Sequence, residues 1–233
     1  MKVLGIETAT TVCAAAVASD GTIAAESWLD HRNVHAEKLL GLIDTVLLQS
    51  KRSLSALDGI AVSIGPGSFT GLRIGLSVAK GLVYATGTPL LAVPTLQALA
   101  QKAVDAGAVP TSGCVLPMLD ARRDEVYCQL FSVNNNDIAP IWDERDVTLA
   151  DLLRELGDRD VTVTGDAHQK LSRELGTRSP ARTSRIRFVD AAVARCSAGT
   201  VALLGERLLQ QGRVEDPAAL EPRYIKEFFF KAR

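Results

Sequence analysis

The order in which apolar periodicity changes along the first hundred residues constrains this chain more than any other feature. Val3 to Thr8 and Val12 to Ser19 are short apolar runs, and Asp20-Gly21 is a hairpin signal before a third run, Thr22 to Leu29. From His35 to Ser50 the spacing becomes helical. Asp58-Gly59 marks a turn, and Ile60 to Ile64 reads as a short buried strand. A glycine-rich stretch from Gly65 to Gly71 leads into a helix over about Thr70 to Thr86. Pro89 to Val93 gives a fifth strand, and Thr95 caps a helix reaching about Asp105. Three antiparallel strands, then helix, strand, helix, strand, helix, is the order of a ribonuclease-H-like domain.

Ala106 to Gly113 turns to Ala, Gly, Pro, Thr and Ser, the composition of a linker. Beyond it the pattern restarts. Cys114 to Leu119 reads as a strand, DARRDE as the turn, Val126 to Val133 as the returning strand and Asn134 to Asp137 as a hairpin loop. A helix from about Leu149, a strand at Val161 to Thr164 and a long helix from Ala191 to Gln211 follow. A strand-turn-strand opening repeated roughly 110 residues later predicts two related halves around a cleft, about 1–106 and 107–233.

Composition narrows the function classes. With 47% hydrophobic and 23% charged residues, a chain of 233 residues can bury a core without staples. A net charge of -1 argues against a surface wholly built for nucleic acid, so RNA contact would be local or made through a partner. Cys13, Cys114, Cys128 and Cys196 form no C-x-x-C pair and are expected to be reduced and mostly buried. Glu7 interrupts the first apolar stretch, and no run approaches the ~18–20 residues of a membrane span. The expectation is a cytoplasmic protein.

The sharpest motif is GPGSFTGLRIG: Gly65, Pro66, Gly67, Ser68, Phe69, Thr70, Gly71, Leu72, Arg73, Ile74 and Gly75. Its glycines permit either a phosphate cradle at a helix N-terminus or only a sharp strand-to-helix turn; the missing Lys-Ser or Lys-Thr of a P-loop favours the turn. The spacing His31-x-x-x-His35 imitates a metal pair, but no Glu lies between them and Asn33 puts His31 in a loop, so no metal site is expected. Neither hairpin, Glu7 to Thr11 or Asp120 to Glu125, carries the glycines that bring backbone N–H groups onto phosphates. Arg122 and Arg123 stand in the second; they could hold a phosphate, but a structural ion pair with Asp120, Asp124 or Glu125 is favoured.

GPGSFTGLRIG followed by Ala79-Lys80-Gly81-Leu82, the opening GIETATTVCAAAV, HAEKLL at His35 to Leu40 and DARRDEVY at Asp120 to Tyr127 together resemble the TsaB (YeaZ) family. The resemblance covers the first 127 residues in the family's order, with Glu7 where the family usually has Asp. It implies an α/β fold of two ribonuclease-H-like halves, of the actin-like and sugar-kinase-like class. It also implies a non-catalytic subunit of the tRNA threonylcarbamoyladenosine machinery, partnered by a TsaD-type catalytic subunit and a TsaE-type ATPase, with tRNA met through the complex. No cofactor and no catalytic residue are expected in this chain. The rival enzymatic readings are an ATP-dependent kinase or transferase of the same fold and a glycoprotease-like metallopeptidase.

The helices flanking the glycine motif are expected to form the partner interface. Leu39, Leu40, Leu42, Ile43, Val46 and Leu47 cover an arc of roughly 160°, wider than the ~100° stripe of a surface helix. On the second helix, Leu72, Leu76 and Val83 are joined by a small-residue line, Gly71, Gly75 and Ala79, that permits close helix approach. The same surface would serve a homodimer. Lys170, Arg173, Arg178, Arg182, Arg185 and Arg187 form a basic run without stacking aromatics, which favours a solvated loop over an RNA site.

Overall fold

The computed structural model describes residues 1–178 and 184–226, and its elements form two sheets. The first half consists of β1 (Lys2–Glu7), β2 (Val12–Ser19), β3 (Thr22–Asp30), α1 (His35–Gln49), β4 (Gly59–Ser63), α2 (Phe69–Thr86), β5 (Leu90–Val93) and α3 (Thr95–Asp105). Its sheet has the order β3-β2-β1-β4-β5, antiparallel from β1 to β3 and parallel across β1, β4 and β5. Asp20 and Gly21 take φ of 52° and 79°, the left-handed pair a tight β2–β3 hairpin demands.

Side-chain alternation sends the two faces of this sheet to different covers. Leu4, Ile6, Cys13, Ala15, Val17, Ile60 and Val62 pack beneath α1 and α2. Val3, Ala18, Ala61 and Leu91 point the other way, into a cluster with Val201, Ala202 and Leu204. Ser68 caps α2 by accepting the Gly71 N–H, and Gly87 ends it in a left-handed conformation (φ 70°).

The second half contains β6 (Ser112–Asp120), β7 (Glu125–Cys128), β8 (Phe131–Asn134), β9 (Asp137–Pro140), β10 (Arg145–Thr148), α4 (Leu149–Leu156), β11 (Val161–Thr164), α5 (His168–Arg178), β12 (Ile186–Phe188), α6 (Ala191–Ala194) and α7 (Ala198–Gln210). The sheet order is β10-β7-β6-β11-β12, with β8 pairing both β6 and β9. Asn135 and Asn136, with φ of 47° and 71°, make the expected hairpin turn between β8 and β9.

The structure departs from two expectations. The single returning strand Val126 to Val133 is two strands, because β7 pairs with the far end of β6 (Met118–Asp120) and β8 with its start (Ser112–Val115). The long helix Ala191 to Gln211 is broken, because Arg195 and Ser197 are extended (ψ 140° and 126°) and Ser197 caps a fresh helix by accepting the Thr200 N–H.

After that break the chain returns to the first half. α7 lies on the first sheet so closely that a β-carbon on Gly5 would sit 2.2 Å from the Ala198 carbonyl oxygen. Beyond α7 a strap continues: Glu215 bridges to Leu90, and the Arg223 N–H donates to Ile64 O at 2.7 Å. No described helix is long and apolar enough to cross a membrane.

Candidate functional site

The glycine motif leaves β4, turns at Gly65 to Ser68 and enters α2, and its glycines are explained by what lies against them. A β-carbon on Gly67 would lie 2.3 Å from Ala9 O, one on Gly71 2.1 Å from Thr8 O, and one on Gly75 2.2 Å from Thr8 Oγ1. The Ser68 N–H donates to Ala9 O at 2.7 Å. The motif therefore seats α2 on the β1–β2 turn, and the amide best placed to meet a phosphate already holds that turn. At Gly65 (φ 116°) a β-carbon would lie 2.5 Å from Arg223 O, so the strap needs a glycine there as well. Thr95 does not cap α3; its hydroxyl accepts the Gly65 N–H at 3.1 Å. Pro66 follows Gly65 through a cis peptide bond. Thr70 lies in the first turn of α2.

Glu7 ends β1, fully buried. Its Oε1 accepts the Ala9 N–H at 2.6 Å, and its Oε2 has no hydrogen-bond partner. Burial without a cation pushes its carboxyl up to about 7, against the smaller opposing pull of the Ala9 amide and Ser63 hydroxyl. A carboxylate holding Mg²⁺ beside a nucleotide has to face solvent and the ligand; Glu7 faces neither. The geometry does not fit the ATP and Mg²⁺ chemistry of the wider fold class.

The second turn is exposed. Arg122 and Arg123 adopt φ of 70° and 51° without glycine, a conformation costing ~1–2 kcal/mol per residue. The ion pairs expected of Arg122 and Arg123 are not present among the described residues; two of the acids pair with lysines instead. Asp120 Oδ1 accepts Lys170 Nζ at 2.6 Å and the Arg122 N–H at 2.8 Å. Lys226, from the strap, pairs with Glu125 and lies 3.7 Å from Asp146. Both arginines are exposed, while Asp120 and Glu125 are taken up by Lys170 and Lys226. Sequence reasoning missed Lys226, which is about a hundred residues distant in the chain and carried no local signal.

Arg73 is also tied to the strap: its guanidinium lies 3.8 Å from the Phe69 ring centroid, and its Nε–H donates to Tyr224 Oη at 2.9 Å. His35 is buried at the start of α1 with Nε2 3.2 Å from Val12 O, whereas exposed His31 has Nδ1 2.8 Å from Arg32 O. The two rings thus serve separate backbone contacts. In the basic run, Lys170 is committed to Asp120 and Arg185 donates to Asp158 O at 2.8 Å. Arg182 and the side chain of Arg178 lie outside the described residues.

The expected interface residues divide sharply. Leu39, Ile43, Val46, Leu72, Leu76, Ala79 and Val83 are buried in the chain's own core beneath α1 and α2, as are Gly71 and Gly75 beside Thr8. In this chain their side chains face the first sheet, so the apolar arc points inward. Leu47 is half-buried, and Leu40 alone of that set is exposed, at 55%. The outer ridge of the pair is instead Leu40, Asp44 and Leu48 on α1 and Ser77, Gly81 and Tyr84 on α2, with half-buried Ile74, Val78 and Leu82 alongside.

The two sheets and their covering helices give the α/β fold of two ribonuclease-H-like halves, the actin-like and sugar-kinase-like fold class. A hexokinase from Thermus thermophilus shares that fold alone, with a TM-score of 0.51 at 13% identity over 91% of this chain and 100% of the other. Residues 30–227 match a family model described as TsaD, tRNA N6-adenosine threonylcarbamoyltransferase. The Bacillus subtilis tRNA threonylcarbamoyladenosine biosynthesis protein TsaB is 30% identical over 184 residues, 76% of this chain and 78% of that protein. The Escherichia coli protein of that name is 38% identical over 140 residues, 59% of this chain and 58% of its own length. A solved structure, YeaZ from Pseudomonas aeruginosa, superposes with a TM-score of 0.77 at 26% identity, over 96% of this chain and 99% of the other. The chain belongs to the TsaB family of tRNA threonylcarbamoyladenosine biosynthesis proteins.

Proposed function

We propose that this chain is a non-catalytic cytoplasmic subunit that binds a TsaD-type threonylcarbamoyltransferase and supports its action on tRNA, with a TsaE-type ATPase in the same assembly. The docking surface is the outer face of α1 and α2. One observation carries this reading: Leu40, Leu48 and Tyr84 are 55%, 81% and 94% exposed along two adjacent helices. Gly41 and Gly81 flatten the same face, since a β-carbon on either would meet nothing within 4 Å. Large apolar side chains left exposed along two neighbouring helices are the kind of surface a protein partner would cover. Two such helices can pack against a matching pair from another chain as a four-helix bundle. A homodimer through the same face would compete with the heterodimer.

The absence of catalysis is supported by the buried Glu7 and by glycine-free turns, one sealed by α2 and one tied by lysines. The docking test is sedimentation of the wild type, Leu48→Glu and Tyr84→Glu, alone and mixed with the TsaD-type partner. Both positions are solvent-facing, so folding should survive by circular dichroism while association is lost. Undiminished assembly of the folded variants would place the interface elsewhere. Turnover of ATP by the isolated chain above a heat-killed control, removed by Asp120→Ala, would overturn the non-catalytic assignment.

A further inference from the structure

Between the two halves lies a cleft of about 220 Å³, built from the β1–β2 turn, the end of β3, the start of α5 and the α6–α7 link. It brings together charges of both signs that do not neutralise one another. Asp30 Oδ1 accepts the Thr11 hydroxyl at 2.6 Å, and Asp166 Oδ1 accepts the Asp120 N–H at 2.9 Å. Among the described residues, neither carboxylate has an ion-pair partner, and each has a second oxygen free of protein hydrogen bonds. Arg195 lines the same cleft with its guanidinium carbon 3.5 Å from the Trp28 ring centroid. No carboxylate pairs with it among the described residues. Each charged group has a local neighbour instead: a hydroxyl for Asp30, a backbone amide for Asp166 and an indole ring for Arg195.

Opposite charges fixed apart in a half-enclosed space form a preorganised site for a ligand that carries both, because the ordering cost is met in the fold rather than on binding. Size selects further. The cleft falls below the ~300–1,000 Å³ of sites that enclose drug-sized molecules, too little for a nucleoside triphosphate. We propose that the cleft binds a small zwitterion, an α-amino acid, with its carboxylate on Arg195 and its ammonium group on Asp30 and Asp166. This site is separate from the outer face of α1 and α2 and adds a ligand that the subunit role does not require.

The test is isothermal titration and thermal unfolding of the full chain with individual α-amino acids, their N-acetyl and C-amide derivatives, and ATP. At a hundredfold excess over Kd, the best amino acid should raise the melting midpoint by roughly 5–10 °C. Either derivative, lacking one charge, should bind about tenfold or more weakly. Asp166→Asn, which keeps an acceptor for the Asp120 N–H, and Arg195→Gln should each weaken binding similarly. No response to any α-amino acid at millimolar concentration overturns the proposal. So does equal binding of the singly charged derivatives, or a preference for ATP. The derivatives test the wild-type protein, so the result stands even if a variant misfolds.

Discussion

The β1–β2 and β6–β7 turns occupy equivalent places in the two halves and have opposite characters. The first, Glu7 to Thr11, is largely buried beneath the start of α2, with three glycines leaving room for Thr8 and Ala9. The second, Asp120 to Glu125, is mostly exposed, carries strained arginines and is tied down by Lys170 and Lys226. One turn is held by close packing, where tolerance is a few tenths of an ångström. The other is held by partly exposed ion pairs, each worth ~0–1 kcal/mol. The two turns are thus one rigid seam and one adjustable surface.

This contrast breaks most visibly at Gly71. Gly71→Leu forces a β-carbon onto the Thr8 carbonyl and should destabilise the protein by about 3 kcal/mol or more, the upper end of overpacking, read from urea midpoints. The next effect is pH-dependent and belongs to the first turn alone. Because Glu7 titrates near 7 when folded and near 4.5 when unfolded, the native state holds the extra proton between those values. Its stability is fully present below about 4.5 and declines as pH rises through about 7, by a loss on the order of 3 kcal/mol. Glu7→Gln should flatten the change in urea midpoint between acid and mildly alkaline buffer; an unchanged slope would locate the titration elsewhere. The smallest effect has the opposite sign. Arg122→Gly relieves a left-handed side chain in the exposed turn and should stabilise by about 0.5–1 kcal/mol, a small rise in melting midpoint.

Much of the first half was legible from periodicity. α1 and α2 end within a residue of the pattern's limits, and the hairpin turn signalled by Asp20-Gly21 is a left-handed pair. The second half was less legible because its strands β9, β10 and β12 are only three or four residues long, too short to establish alternation. The split between β7 and β8 depends on where each meets β6, a long-range fact with no local mark. For the site, the helical pattern identified an apolar arc but could not say what covered it. Its widest part, Leu39, Ile43 and Val46, is core, while Leu48 and Tyr84 stand alone outside it. Likewise the line Gly71, Gly75 and Ala79 has the spacing of a helix–helix seam, yet its glycines answer to Thr8.

The return of α7 to the first sheet has a consequence for synthesis. About a hundred residues separate Val93, the end of that sheet, from Ala198, and at ~5–20 residues per second the ribosome needs on the order of ten seconds to supply them. Through that interval Val3, Ala61 and Leu91 lack the helix that finally shields them. The emerging chain therefore keeps those apolar side chains uncovered until α7 is complete, and a product released earlier would present a sticky half-domain.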